Sequence, residues 1–204
     1  MPLRARLAIG VVALCAGASA LAGEDAKALF DRGVALVDPY ITLSGRSEAD
    51  PKSLRGRQAI AQGIALLEQV TRMRPDSWQS FWFIGKASQA AGDSAAAYDA
   101  MKKAYALQPD QRDVAREFVF EALCTARSGE AVTAARRVSA AHPDDAGLSA
   151  NLAVALLADR QLDAAQQETA RALRLAPGDP ITRNLAQAIT DVRNGKPAPQ
   201  YCAQ

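Results

Sequence analysis

A chain of 204 residues is long enough to bury a hydrophobic core, and its composition narrows the classes of protein to which it can belong. Aromatic residues make up only 5% of the chain, which suits closely packed helices better than a β-sandwich. The formal net charge is only +2, whereas proteins that bind nucleic acid or an anionic membrane surface usually carry a clear excess of basic residues. Neither partner is therefore expected.

The first segment, 1–22, has the organisation of a secretory signal peptide. Arg4 and Arg6 form a basic start, an apolar run follows, and small residues up to Ala22 are typical of a cleavage site. The apolar run is too short to span a membrane, so we expect 1–22 to be removed and the mature chain to contain no membrane span. Export is therefore predicted, to the periplasm if the source is a bacterium.

Cys15 leaves one alternative open within this segment. A cysteine at a cleavage point can be acylated, which would anchor the mature chain to a membrane by lipid. Leu14, directly before Cys15, is larger than the residue expected at such a site, and the small-residue sites lie further along the chain. The lipid-anchored form is therefore the less favoured alternative.

Residues 24–75 predict an irregular opening pair of helices. Apolar residues at helical spacing predict a first helix over 24–37 and a second over 51–74. Between them, 38–52 contains two Asp-Pro pairs and predicts a loop. That length leaves two interpretations open, a solvated insertion or a functional, mobile loop.

Prolines recur at a fixed interval through the rest of the chain. Pro75, Pro109, Pro143 and Pro177 lie 34 residues apart. This interval is the period of helix–turn–helix repeats, which bury their apolar faces by stacking on one another. The sequence therefore predicts an all-α protein built as a solenoid.

The segment 77–109 carries the repeat pattern most clearly. Small residues recur where the two helices of a pair approach closely, and large residues recur where the pair meets its neighbour. The small residues are Gly85, Ala97 and Ala104, and the large residues are Phe81, Ile84 and Met101. Ser88 is smaller than the pattern expects. This pattern resembles the tetratricopeptide repeat (TPR), which implies a right-handed α-solenoid of stacked antiparallel helix pairs.

In the register of this resemblance, residues 23–194 form one repeat domain. Its parts are the irregular first pair 24–75, the repeats 78–109, 112–143 and 146–177, and a capping helix over 180–194. An extended tail over 195–204 follows. In the second repeat, Val119 and Val138 occupy positions that are normally small and Ala135 a position that is normally large, which predicts an exchange of volume across the pair.

The resemblance also implies a concave groove lined by the first helix of each pair. The groove residues that it predicts are Gln79, Trp82, Lys86, Gln89, Asp113, Arg116, Phe120, Leu123, Val154 and Leu157. Apolar residues on a face that should meet water favour a protein or peptide partner. Two other interpretations stay open, because neighbouring helices or the chain's own tail could cover these residues.

Catalytic and metal-binding motifs are missing from the sequence. His142 is the only histidine, and it precedes Pro143 in a predicted turn. We therefore predict that the protein is not an enzyme and takes no cofactor or metal. The favoured function is an exported interaction module that binds a protein or peptide segment in its groove. The alternative is a structural subunit of an envelope complex, acting through its convex face or the 38–52 loop.

Two cysteines remain after removal of 1–22, and an even number in an exported chain suggests a disulfide. The resemblance places Cys124 on the concave side of its repeat. The tail from Asn194 to Cys202 is long enough to reach it, since an extended chain covers about 3.3 Å per residue. A Cys124–Cys202 bond would lay the tail across the concave face with Tyr201 near the apolar groove residues. The alternative is a buried Cys124 with a disordered tail.

Overall fold

The computed structural model describes residues 25–42 and 47–202, and these ranges are helical with no β-strand. The predicted signal peptide lies outside the described residues. The helices are α1 Ala26–Val37, α2 Leu54–Met73, α3 Trp78–Ala91, α4 Ser94–Leu107, α5 Arg112–Cys124, α6 Ser128–Ala141, α7 Ala146–Ala158, α8 Leu162–Leu175 and α9 Pro180–Arg193.

Each helix packs against the next one in the chain, and from α2 onward the connections between consecutive helices are short. Contacts also join alternate helices, α1 with α3, α5 with α7 and α7 with α9. The odd-numbered helices therefore share one face of the solenoid, and this face is the concave one of the predicted fold. Most of the buried side chains from α4 to α9 form one continuous hydrophobic cluster.

The helix ends follow from side-chain caps and left-handed residues. Asp93, Asp145 and Asp179 each accept a hydrogen bond from a backbone N–H in the first turn of the helix that follows, and Asp179 precedes Pro180 at the start of α9. Gly92 ends α3 with a φ of 82°. At the corresponding turns, Ala126 and Arg160 also adopt positive φ, so the turn geometry is kept without glycine.

The second helix begins later than the sequence pattern suggests, at Leu54 and not at Pro51. Ser53 is its N-cap and accepts a hydrogen bond from the Gly56 N–H at 3.0 Å. The backbone of Asp50 and Pro51 folds against Gly56, where a Cβ would lie 2.5 Å from the Asp50 carbonyl oxygen. Residues 50–53 therefore form a turn that packs on the helix and do not extend it.

The start of the 38–52 segment belongs to the core. Asp38–Tyr40 form a 3-10 turn, and Tyr40 and Ile41 are buried together with Val37 and Ile60. A solvated insertion is therefore wrong for Tyr40 and Ile41, because their side chains complete the apolar contact between the first two helix pairs. Residues 43–46 of this segment lie outside the described residues.

The small and large residues of the repeats meet inside the helix pairs. A Cβ on Gly85 would lie 2.7 Å from the Met101 Cε, so α3 and α4 approach closely at this glycine. In the looser repeat, Val119, Val138 and Ala135 are all buried. Val119 and Ala135 belong to the main hydrophobic cluster, whereas Val138 packs in a smaller one with Ala115 and Leu148.

Replacing Gly63 with alanine is expected to lower the free energy of unfolding by about 2 kcal/mol. A Cβ at Gly63 would lie 2.5 Å from the Val37 Cγ1 and 2.9 Å from the Gly33 carbonyl oxygen, so α1 and α2 would have to separate. Gly129→Ala is the matched control, because nothing lies within 4 Å of its added Cβ. Urea denaturation followed by circular dichroism should leave Gly129→Ala unchanged or slightly stabilised. Equal effects of the two variants would contradict this account.

Candidate functional site

A polar network crosses from α3 to α5 on the concave face. The Lys86 ammonium donates to the Gln89 Oε1 at 2.8 Å and lies 3.1 Å from the Glu117 Oε2. The Gln89 amide in turn donates to the Glu121 Oε1 at 2.9 Å. Lys86 and Glu121 are almost fully buried, at 4% and 1% exposure. Because a carboxylate neutralises Lys86, this residue is part of the floor and is not a free cation.

Glu121 is the most perturbed acid of this network. Its pKa is raised to about 7, chiefly by burial and to a smaller extent by the neighbouring Glu117 charge. The hydrogen bond from Gln89 and the charge of Lys86 oppose this rise. Glu121 was not identified as a site residue from the sequence. Its position next to Ala122 and one turn after Phe118, on the apolar side of α5, could have indicated a buried carboxyl group.

An open cavity of about 450 Å³ lies above this network, and we call it the concave groove. Its lining residues are Thr42, Lys86, Gln89, Arg116, Glu117, Val119, Phe120, Leu123, Asn151, Val154 and Tyr201. The apolar side consists of Phe120, which is 41% exposed, with the half-buried Leu123 and Val154. Six of the predicted groove residues therefore meet here, namely Lys86, Gln89, Arg116, Phe120, Leu123 and Val154.

Two predicted groove residues are placed elsewhere. Leu157 is fully buried, because it belongs to the core cluster that Leu185 and Ile189 of α9 complete, so its prediction as a groove residue is wrong. Gln79 lines a separate hollow of about 400 Å³ beside Phe30 of α1. It does not reach the concave groove, because it lies at the start of α3 near the first helix.

Trp82 and Asp113 lie outside the lining of the concave groove. Trp82 packs edge to face on Phe83, with ring centroids 5.1 Å apart, and its indole N–H is buried without a partner among the described residues. Asp113 is exposed and lies 3.6 Å from Arg116, one turn further along α5. Such a solvent-exposed pair is weak, so Arg116 remains an accessible cation at the groove.

The tail reaches the concave face through a disulfide between Cys124 and Cys202, whose Cα atoms are 5.3 Å apart. Tyr201 lines the groove, and its hydroxyl is buried without a partner among the described residues. Burial raises the pKa of Tyr201. Since Phe120 stays exposed, the tail does not cover the groove. The disulfide stands against the alternative of a buried, unbonded Cys124 with a disordered tail, and the exposure of Phe120 means that the tail leaves this part of the groove open.

The described residues contain no group of three or more His, Cys, Asp or Glu side chains placed to hold a metal ion. The His142 Nε2 lies 3.0 Å from the Asp110 carbonyl oxygen, in the turn that precedes α7. This contact ties two successive repeat turns together. Of the helices in 25–42 and 47–202, none combines the length and the apolar character that a membrane crossing requires.

No protein-family model matches the chain, and no curated protein matches it in sequence. Solved structures match its fold. A crystal structure of MamA has a TM-score of 0.65 at 14% identity, covering 83% of this chain and 82% of that one. YrrB, described as a TPR protein with an unusual peptide-binding site, has a TM-score of 0.59 at 13% identity, with coverages of 70% and 74%.

A third match is the first TPR of Spaghetti (RPAP3), solved in complex with the HSP90 peptide SRMEEVD. It has a TM-score of 0.52 at 15% identity, covering 57% of this chain and 93% of that one. At these identities the likeness concerns the fold alone. The all-α, TPR-like solenoid predicted from the sequence is thereby confirmed.

Proposed function

We propose that the protein is an exported, non-catalytic interaction module whose concave groove binds an extended segment of a protein partner. The observation that carries the proposal is the open cavity of about 450 Å³ in which the exposed Phe120 lies in the same lining as Arg116. Exposed aromatic and arginine side chains in a concave surface are the usual anchors of protein interfaces. The solved structures of similar fold include one with a bound peptide, which supports the proposal.

The chemistry of the groove selects the kind of segment. Phe120, Leu123 and Val154 offer apolar contact to one large apolar side chain. Lys86 is neutralised by Glu117, whereas Arg116 has only its weak exposed pair, so the groove favours an acidic group beside the apolar one. The Asn151 amide lines the same cavity and supplies both a donor and an acceptor for the backbone of an extended peptide.

Export rests on the sequence of 1–22 and agrees with the Cys124–Cys202 disulfide, because such bonds persist mainly in oxidising compartments. A chain that begins after Ala22 in the envelope fraction of the source organism, read by N-terminal sequencing, is the expected result. An intact Met1 in a reducing compartment would contradict export and would leave the binding proposal standing.

Arrayed short peptides test the binding proposal directly. The array carries peptides with one central Leu or Phe, flanked by acidic, basic or neutral residues, and the full oxidised chain is applied to it. We expect capture of the acidic series, and we expect Arg116→Glu and Phe120→Ala to weaken binding about tenfold each. Arg55→Glu, an equal charge change at an exposed position of α2, is the matched control.

Two outcomes would contradict the proposal. One is capture of acidic and basic peptides to the same extent, because the charge argument would then fail. The other is equal peptide affinity of Arg116→Glu and Arg55→Glu, because binding would then occur away from the groove. Far-UV circular dichroism of each variant verifies that lost binding is not lost folding.

A further inference from the structure

We propose that the C-terminal tail, residues 195–202, is a wall of the concave groove that is held by the Cys124–Cys202 disulfide, so that reduction of this disulfide weakens peptide binding. The inference rests on the proposed function and adds its regulation. It also adds Tyr201 to the residues that contact the partner. The observations behind it are the position of Tyr201, the small number of other restraints on the tail, and the open groove.

Tyr201 lies between two spaces. One is the concave groove, whose wall it shares with Phe120 and Leu123. The other is a hollow of about 640 Å³ beneath the tail, lined in part by Ala158 at the end of α7 and by Ser128 at the start of α6. The tail therefore bridges open space, and Tyr201 is the one tail residue that reaches the groove lining. Loss of Tyr201 would leave this end of the groove open to solvent.

The tail has few restraints besides the disulfide. Lys196 is the last residue of the tail with a backbone hydrogen bond to α9, from its N–H to the Asp191 carbonyl oxygen at 3.0 Å. Pro197 and Pro199 have no N–H to donate. Among residues 197–202, Ala198 alone packs against the main hydrophobic cluster. The entropy cost of ordering a segment accumulates with each residue, so without the covalent bond we expect 197–202 to leave the groove.

The open state of the groove sets the direction of the effect. Phe120 keeps 41% exposure, and a cavity of about 450 Å³ remains with the tail in place. The tail therefore borders the binding space and does not fill it. If the tail moves away from the edge of the groove, the apolar side chain of a bound peptide becomes exposed to water, and affinity falls. If the tail instead filled the groove, its removal would free the binding space and raise affinity.

The chemical step is thiol–disulfide exchange with a dithiol reductant. One thiolate of the dithiol attacks a sulfur of the Cys124–Cys202 bond and expels the other cysteine as a thiolate, which leaves a mixed disulfide. The second thiolate of the dithiol attacks its own sulfur in this mixed disulfide and expels the remaining protein cysteine as a thiolate. The protein gains two electrons and two protons as two thiols, and the dithiol becomes a cyclic disulfide. Thiol–disulfide exchange with an oxidised dithiol protein runs the same reaction in reverse and restores the Cys124–Cys202 bond.

The test uses a fluorescein-labelled copy of the array peptide that the oxidised full chain binds most tightly. Fluorescence anisotropy should show that dithiothreitol weakens binding about tenfold. Tyr201→Ala with the disulfide intact should weaken it about fivefold, because the wall residue is lost while the tether stays. Gln200→Ala is the matched control, because Gln200 lies beside Tyr201 but does not line the groove. Cys124→Ser combined with Cys202→Ser should bind weakly and ignore the reductant.

Unchanged or tighter binding after reduction overturns the inference, and so does Tyr201→Ala with the affinity of Gln200→Ala. If Phe120→Ala binds like the unmodified chain, the proposed function fails instead, so the two failures are distinguishable. An arm without peptide keeps the tether testable in that case. Chymotrypsin cleavage after Tyr201, followed by mass spectrometry, should become faster after reduction, and an unchanged cleavage rate would refute the tether.

Discussion

Replacing both Cys124 and Cys202 with serine is expected to lower the free energy of unfolding by about 4 kcal/mol. The disulfide joins residues 78 positions apart, and in the chain-entropy model a long closed loop restricts the unfolded chain strongly. The closed loop contains α6 to α9, so we expect the loss in this half of the solenoid. Repeats contact only their neighbours, which allows the two halves to respond differently.

Two spectroscopic probes separate the halves. Both tryptophans of the chain, Trp78 and Trp82, lie on α3, outside the closed loop, whereas far-UV circular dichroism reports all helices. In the double serine variant, the dichroism transition in urea should therefore begin at lower concentration than the fluorescence transition. Each single serine variant should match the double variant, because either change removes the same bond. Identical transitions in the variant and the oxidised protein would contradict the prediction.

The sequence was sufficient for the fold because the repeat period is carried by local chemistry. Prolines end every second helix, and a small residue such as Gly85 is required wherever two helices approach closely. These requirements repeat at every pair and do not depend on distant contacts. The opening pair was less predictable, since the burial of Tyr40 and Ile41 depends on their contact with Ala87 in the following pair.

The groove was predictable only in part, because exposure depends on what packs above a residue. Phe120 and Leu157 both occupy positions that line the concave face in TPR solenoids, yet Phe120 is exposed and Leu157 is buried in the main hydrophobic cluster. The cluster that encloses Leu157 includes side chains of α9 and Ala198 of the tail. These segments depart from the repeat pattern, so periodicity could not predict the burial of Leu157. The hydrogen bond between Gln89 and Glu121 spans two repeats and depends on the distance between α3 and α5.

Glu121→Gln is expected to remove a pH dependence of stability worth about 3 kcal/mol. The pKa of Glu121 is about 7 in the folded chain, against its ordinary value of 4.5. Between these values the folded protein holds a proton that the unfolded chain releases. Glu121 therefore contributes stability that is fully present below pH 4.5 and is lost as pH rises through 7. Glutamine keeps the shape and accepts the Gln89 hydrogen bond, but it does not ionise.

Urea denaturation of both proteins over this range measures the difference directly. The advantage of Glu121→Gln over the unmodified chain should grow from about pH 4 to about pH 8 and then stay constant. Glu68→Gln, at an exposed position of α2, is the matched control and should show no such trend. A constant difference between Glu121→Gln and the unmodified chain would mean that Glu121 ionises normally. In that case the Glu117 and Glu121 carboxylates would both be ionised and paired with Lys86 beneath the groove, and Glu121 would not be protonated near neutral pH.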